Sequence, residues 1–209
     1  MIVTLLVLEC LTGCVSSPNN LPVRYEATGI PNTVAGSDGK TTLFFPTIED
    51  RRTGSIRSLN TCFQGGGLTF QTDRPPAVIV HEALTTELSV LGVGVTPLAG
   101  GAQGTLRGQL KKFEVCQDDG SYQVETHVEL YGTDGESLWA GDLYGRTVHS
   151  SGSSLSADFE RNLTTGFSQA LTEAVQKLNQ PGFLRALKSL ARESPALPSG
   201  GASPPPPVY

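Results

Sequence analysis

The 209-residue chain is poor in basic residues and has no long apolar run after its N-terminal segment. It has 15 Lys and Arg residues against 20 Asp and Glu, for a formal net charge of −5, and the cations are scattered. A nucleic-acid-binding surface or a polybasic membrane patch would need clustered Lys and Arg, so both are disfavoured. No later stretch approaches the roughly 20 consecutive apolar residues that span a bilayer.

The chain also lacks the residue spacings of metal and catalytic sites. Its three histidines, His81, His127 and His149, show no ligand spacing, whereas a zinc site needs three or four converging ligands. The Ser-rich segment at residues 149–156 has no G-x-S-x-G elbow, and the glycine-rich loops match no phosphate-binding motif. We therefore predict no cofactor, no metal and no enzymatic activity.

The N-terminus shows a specific pattern: an apolar run at residues 1–8 is followed by LTGC at residues 11–14 and then by polar VSSPNN. This pattern resembles the lipobox of bacterial lipoproteins, in which the cysteine is acylated and becomes the new N-terminus after cleavage. The resemblance implies that residues 1–13 are a signal peptide and that Cys14 anchors the protein. Because Val15 is not Asp, it also implies the outer membrane, with the domain facing the periplasm.

A different interpretation is a buried apolar strand that ends at Cys14. The polar, breaker-rich residues that follow suit a tether better than the continuation of a core. The leader is shorter than the roughly 15 to 30 residues of most signal peptides and has no Lys or Arg before its apolar run. We therefore expect the true start codon to lie upstream.

The remaining cysteines agree with export. With Cys10 in the leader and Cys14 as the anchor, Cys62 and Cys116 are left as an even pair in an oxidising compartment. If bridged, they close a loop of about 55 residues, worth ~4 kcal/mol in the chain-entropy model. The alternative is two separate buried thiols.

Composition divides the chain into four parts. Residues 1–13 are the predicted signal peptide, and residues 14–40, rich in Ser, Pro, Asn and Gly, are predicted to be the lipidated cysteine and a flexible tether. Residues 41–191 are predicted to form one periplasmic domain, since about 150 residues suffice for a single core. The Pro-rich residues 192–209 are predicted to be a disordered tail.

Hydrophobic periodicity predicts the elements of that domain. The predicted strands are residues 41–45, 93–97, 105–115, 122–130 and 138–148. The predicted helices are residues 77–91, a long helix capped by Ser156 and a short helix at residues 183–191.

This order predicts an α+β fold: a β-α-β unit followed by an antiparallel β-meander and a long C-terminal helix, with two helices on one face of a four- to five-stranded sheet. If the first two strands are parallel, the strand at residues 105–115 should run back. It would then end at the pole opposite the loop that holds Cys62. Only the length of that loop, residues 46–74, would allow a bridge to Cys116.

Several segments carry a second resemblance, over residues 41–190. The pieces PTIEDRR, LSVLGVGV and GTLRGQLKKFEV, with a charged hairpin and a terminal helix, are similar to YajG-like envelope lipoproteins and to auxiliary lipoproteins of ABC-type lipid transporters. More distantly, they resemble the TolB N-terminal domain and the curli-secretion lipoprotein. The resemblance implies a noncatalytic domain that binds other envelope proteins, with a homo-oligomeric ring as one option. The alternative is a lipid-handling accessory with an apolar groove for acyl chains.

The meander offers the candidate surface for partners. Alternation places Arg107 and Lys111 on a polar face, and the last strand adds two aromatic residues, Trp139 and Tyr144, of types that often dominate interfaces. Those two have opposite parity, so only one can share that face unless a bulge, for example at Gly141, intervenes. The alternative for Trp139 is packing under a helix. These four residues are our predicted partner-binding set.

Overall fold

The structure is a computed structural model that describes residues 20–25, 27, 41–53, 60–61, 70–116, 119–148 and 157–193. Its strands are β1 (Thr42–Phe44), β2 (Glu49–Asp50), β3 (Asn60–Thr61), β4 (Gly94–Thr96), β5 (Gly104–Cys116), β6 (Ser121–Tyr131) and β7 (Ser137–Val148). Its helices are α1 (Pro76–Val90), α2 (Ala157–Gln176) and α3 (Pro181–Glu193), with a 3₁₀ turn (Lys177–Asn179) before α3. The predicted cap Ser156 lies outside these residues.

One sheet contains all of these strands, in the order β4-β1-β5-β6-β7, and β2 and β3 also pair with β5. The α+β prediction is confirmed, including the β-α-β unit, the antiparallel meander β5-β6-β7 and the long C-terminal helix. The described sheet has seven strands rather than four or five, because two short pieces of the predicted loop join it.

The direction of β5 differs from the prediction. β5 is parallel to β1, with Leu43 opposite Gly104, and β4 is parallel to β1 on the other side. The physical reason is the length of β4, which has three residues. A connection of about seven residues can return over such a short strand, which spans roughly 10 Å, so β5 starts at the same pole as β1.

The predicted loop at residues 46–74 runs beside β5 at two further places. Glu49 and Asp50 pair in parallel with Gln109 and Leu110, and β3 pairs with Glu114 and Val115. β1, β2 and β3 therefore lie at successive positions along β5, toward its C-terminal end. The sequence pattern predicted that this loop and the end of β5 lie at opposite poles, which would oppose a disulfide. For β3 this separation is not found.

We name the two ends of the sheet by β5: the Gly104 pole at its start and the Cys116 pole at its end. α1 starts with two prolines, Pro75 and Pro76, where a missing N–H costs nothing. It runs back to the Gly104 pole, and its C-cap Leu91 is followed by Gly92, whose φ of 78° suits glycine. None of the described helices is long and apolar enough to cross a membrane.

The helices cover one face of the sheet. α2 lies across β6 and β7 and also contacts α1. The rings of Phe113 on β5 and Phe167 on α2 stack with centroids 4.8 Å apart, and Tyr122 meets Phe167 edge-on at 5.3 Å. The two phenylalanines are fully buried, so α2 is held by close aromatic contact with the meander.

Leu21, Val23 and Tyr25 also pack into the core, which differs from the predicted tether. Leu21 and Val23 are 2% and 0% exposed, and Leu21 forms a parallel bridge with Thr72. The Tyr25 hydroxyl donates a short hydrogen bond to Glu87 on α1. Apolar residues alternate at positions 21, 23 and 25, the period of a half-buried extended chain, so the domain begins about 20 residues earlier than the composition indicated.

Candidate partner-binding surface

The sheet face opposite the helices, here called the open face, is polar. Cross-strand pairs on it include Arg107 with Glu129 and His127 with Asp142. Its neighbours in sequence, such as Leu106 and Val128, point to the helices and are fully buried. The alternation of the strands thus separates one apolar face from one polar face. The titratable side chains of the open face are Arg107, Lys111, Lys112, Glu114, Glu125, His127, Glu129, Tyr131, Asp142, Tyr144 and Arg146.

A β-bulge shapes the centre of this face. The register of β5 against β6 shifts between Leu110 and Lys112, which leaves Lys111 as the extra residue. Both lysines therefore reach the polar side. Lys111 Nζ lies 2.8 Å from Asp142 Oδ1, and Lys112 Nζ lies 3.1 Å from Glu125 Oε2.

Asp142 is the centre of the first charge cluster. Its Oδ1 accepts from Lys111 and also lies 2.8 Å from His127 Nδ1. The hydrogen bond from Lys111, followed by the contact with His127, holds the pKa of Asp142 below its usual range. His127 Nε2 lies 3.7 Å from Glu129, and the Tyr131 hydroxyl donates to Glu129 at 2.7 Å.

The second cluster joins cations to aromatic rings. The hydrogen bond to Glu125 raises the pKa of Lys112, whose ammonium also lies 6.0 Å from the centre of the Tyr144 ring. The Arg107 guanidinium lies 5.0 Å above the Tyr131 ring. Such cation–π contacts are worth about 0.5–1 kcal/mol at exposed sites.

In both clusters, the charged side chains contact other side chains of the open face. Lys111, Lys112 and Arg107 each already have an intramolecular partner. A partner protein that bound here would need to break or share these contacts, so the face has little unsatisfied charge to offer. These contacts instead connect side chains of β5, β6 and β7 with one another.

The four predicted partner-binding residues do not all share this face. Arg107, Lys111 and Tyr144 lie on it, whereas Trp139 is on the helix-covered face. The Trp139 ring packs edge-on against Phe183 of α3, with centroids 4.9 Å apart. No bulge occurs at Gly141; the shift in β7 lies opposite Leu130 and Tyr131, so the opposite parity holds and Trp139 packs under a helix.

The cysteine predictions fall partly outside the described residues. Cys14, the predicted lipidation site, and Cys62 are both outside them. Cys116 is disulfide-bonded and 8% exposed, and Gln123 Nε2 donates to its Sγ at 3.4 Å. The parallel pairing of Thr61 with Val115 is compatible with a Cys62–Cys116 bridge, which stays a prediction.

The two described histidines lie on different sides of the sheet. His81 is on α1, where its ring stacks on Phe45 at 4.4 Å and Nε2 lies 3.4 Å from the Phe45 carbonyl oxygen. His127 is on the open face beside Asp142, and His149 lies outside the described residues. Within the part of the chain that the structure describes, no group of three potential metal ligands comes together.

The sequence pattern identified Arg107 and Lys111 as residues of the open face but missed Asp142, Lys112 and Tyr131. Alternation of β7 would have placed Asp142 on the same side as Tyr144. Lys112 could not be placed in this way, because an unpaired residue at Lys111 reverses the parity of every residue after it.

A groove of about 620 Å³ lies on the other side of the molecule, between residues 22–24 and α2. Arg24 borders it and pairs with Asp73 at 2.6 Å, and the hydrogen bond from Arg24 lowers the pKa of Asp73. The α2 side of the groove is built from short polar and amide side chains, including Thr164, Ser168 and Gln169.

Comparison with solved structures finds the same fold in other proteins. The fold is similar to that of protein XCC0632 from Xanthomonas campestris, which carries the family description DUF330. The superposition covers 85% of this chain and 98% of XCC0632, with a TM-score of 0.55 and 13% sequence identity. A second, uncharacterized protein covers 78% of this chain and 100% of its own, with a TM-score of 0.50 and 13% identity.

Lipoprotein GNA1162 from Neisseria meningitidis covers 60% of this chain and 93% of its own at 12% identity, with a TM-score of 0.36, which is too low to carry an argument. At their low identity, the first two similarities show the fold alone. No model of a known family matches the chain, and no curated protein matches it.

Proposed function

We propose that this protein is an outer-membrane lipoprotein, related to the YajG-like envelope lipoproteins, that serves as a structural or assembly component. Acyl chains on Cys14 hold it in the membrane, since several chains anchor stably where a single chain is marginal. The α+β domain faces the periplasm and binds other envelope proteins. The role is noncatalytic.

The short distance in sequence between Cys14 and the core supports the anchor. The LTGC pattern ends at Cys14, and Leu21 is already packed in the core. The residues between them can span at most roughly 25 Å when fully extended. An acylated Cys14 would therefore hold the domain close to the membrane surface, as an assembly component of the envelope requires.

The observation that carries the binding role, against lipid handling, is the contact between α2 and β7. A Cβ built on Gly145 would lie 1.9 Å from the Ala170 carbonyl oxygen and 2.6 Å from the Ala174 nitrogen. Helix and strand backbones touch here, and side chains such as Phe167 and Leu171 fill the adjacent space. A lipid carrier of the alternative type would need space for an acyl chain between α2 and the sheet, and there is no such space at this point.

Two measurements on one preparation test the proposal. The protein is crosslinked in membranes of its native host and purified, with a Cys14→Ala variant as the control. Intact mass is expected to show a triacylated Cys14, and defined envelope proteins are expected to copurify. Unmodified Cys14 in the wild-type protein would refute the anchor.

Lipid extraction from the same sample distinguishes the alternative. After detergent exchange, we expect no phospholipid in stoichiometric amount. About one extractable phospholipid per chain would instead favour an auxiliary lipoprotein of an ABC-type lipid transporter and would sink the assembly role.

A further inference from the structure

α3 presents a stripe of three cations on its outer surface. The helix buries Phe183, Ala186, Leu187 and Leu190, whereas Arg185, Lys188 and Arg192 are exposed. The three cations are spaced by three and four residues, so they lie on one side of the helix. We call these three residues the α3 stripe; with Ser189 they border a shallow cavity of about 360 Å³.

The stripe has no anionic partner within the described part of the molecule. Its one side-chain hydrogen bond runs from Arg185 Nε to the Pro181 carbonyl oxygen at 3.2 Å. Several other described cations have anionic partners, as Lys111 has in Asp142 and Lys112 in Glu125. Three unpaired like charges within about two helical turns concentrate a positive field, in a chain whose net charge is −5.

α3 lies at the Gly104 pole. Phe183 packs against Trp139 near the start of β7. At its other end, Leu190 fills the space beside Gly104, where a built Cβ would lie 2.9 Å from Leu190 Cδ1. The helix therefore crosses the ends of β7, β6 and β5 at this pole.

The tether leaves the domain at the opposite end. Leu21 donates to the Gln71 carbonyl oxygen and accepts from the Asp73 nitrogen, just before α1 begins near the Cys116 pole. β5 alone, with 13 residues, spans roughly 43 Å between the poles. The residues from Cys14 to Leu21 reach at most roughly 25 Å, so an anchor on Cys14 holds the Cys116 pole toward the membrane.

We infer that the α3 stripe is a docking surface for an acidic surface of another protein, on the side of the domain that faces away from the anchoring membrane. This inference rests on the proposed lipoprotein anchor and identifies the surface that it would present. Charge complementarity selects an acidic partner. The orientation of the domain disfavours the lipid headgroups of the anchoring bilayer as the partner of the stripe. The open face is less suited to bind an acidic surface, because its cations already have partners within the face.

The test uses the full chain in native membranes and a carbodiimide, which joins an amine directly to a carboxylate. The variant Lys188→Glu/Arg192→Glu reverses two of the three charges; Arg185 is kept because it bonds to Pro181. The matched control, Arg24→Glu/Arg51→Glu, makes the same charge change at exposed arginines elsewhere. Lys188→Arg keeps the charge but removes the amine. Circular dichroism verifies the fold of each.

We expect a crosslinked peptide that joins Lys188 to an Asp or Glu of a different protein. The amount of that protein that copurifies without the carbodiimide should fall at least tenfold in the Lys188→Glu/Arg192→Glu variant and change less than twofold in the matched control. Lys188→Arg should lose the crosslink and copurify as much of that protein as the wild type does. Unchanged copurification with the Lys188→Glu/Arg192→Glu variant, or a crosslink from Lys188 to a second copy of this chain, would overturn the inference.

A vesicle experiment separates a protein partner from a lipid surface. Purified Cys14→Ala protein is sedimented with anionic and with neutral phospholipid vesicles, and we expect no binding to either. Binding to anionic vesicles that is lost when Lys188→Glu/Arg192→Glu is introduced would overturn the inference in favour of lipid. Intact mass is read in the same membrane preparation, so an unmodified Cys14 sinks the anchor independently of the crosslink.

Discussion

The two faces of the meander come from the same alternating strands and are stabilised in different ways. On the covered face, α2 approaches so closely that Gly145 leaves no room for a methyl group. On the open face, Lys111 and Asp142 are half-exposed and form a surface ion pair, of a kind that contributes little. The comparison indicates that stability resides in the covered face, whereas the open face can accept substitutions.

The largest expected effect is at Gly145. Gly145→Ala places a methyl group against the α2 backbone, which cannot rotate away as a side chain could. We expect a destabilisation of about 3 kcal/mol, at the upper end for overpacking, or loss of the cooperative transition, measured by urea unfolding. Gly100→Ala is the control, because its built Cβ meets nothing within 4 Å. An equal midpoint for both variants would contradict the close contact.

The next effect concerns Glu87, a buried carboxylate that joins three segments. It is 5% exposed, accepts from the Tyr25 hydroxyl and accepts from Asn179 Nδ2 at 2.7 Å. Glu87→Ala leaves both donors without this acceptor, so we expect a loss of about 2 kcal/mol in the free energy of unfolding. Glu87→Gln keeps the size and an acceptor and should lose less than half as much. Equal losses would mean that packing, not hydrogen bonding, matters here.

A smaller effect of opposite sign is expected at Thr126. Its side chain is 1% exposed on the covered face, and its hydroxyl has no hydrogen-bond partner among the residues that the structure describes. Thr126→Val replaces the hydroxyl with a methyl of similar shape, so we expect unchanged stability or a gain of up to about 1 kcal/mol. Thr126→Ser, which keeps the hydroxyl and loses the methyl, should be destabilised by about 1 kcal/mol. A destabilised valine variant would reveal a bond that the hydroxyl makes.

The smallest effect is on the open face. Lys111→Ala should cost less than about 1 kcal/mol at pH 7. Lys111 holds the folded-state pKa of Asp142 below the usual ~3.9, so its contribution is present above that pH and is lost as the pH falls through the folded pKa. Urea unfolding at pH 7 and pH 2.5 should therefore show a difference between wild type and variant that is smaller in acid. A difference of the same size at both pH values would rule out the ion pair as its source.

The sequence predicted the meander well because alternation is a local signal. β6 was predicted at residues 122–130 and spans Ser121–Tyr131. The parallel direction of β5 was not predictable from pattern, since it depends on the path of the connection after β4. β2 and β3, with two residues each, are too short to show any period.

The N-terminal segment shows a different limit. Composition led to a tether for all of residues 14–40, although Leu21, Val23 and Tyr25 alternate like a strand. Pro22 between them does not prevent this packing, because the segment makes few backbone pairs and Pro is tolerated at an edge. The α3 stripe was also missed, since scattered cations in sequence give no warning that one amphipathic helix gathers three of them.

The position of β1, β2 and β3 along β5 has a consequence for the order of folding. β5, β6 and β7 are joined by short turns, so their contacts are local and can form early. Leu43, in contrast, pairs with a residue about 60 positions later, and such a contact requires the closure of a long loop. Amide hydrogen exchange should therefore find that the β1–β5 pairing opens at lower free energy than the meander, which makes this pairing the place where the domain begins to come apart.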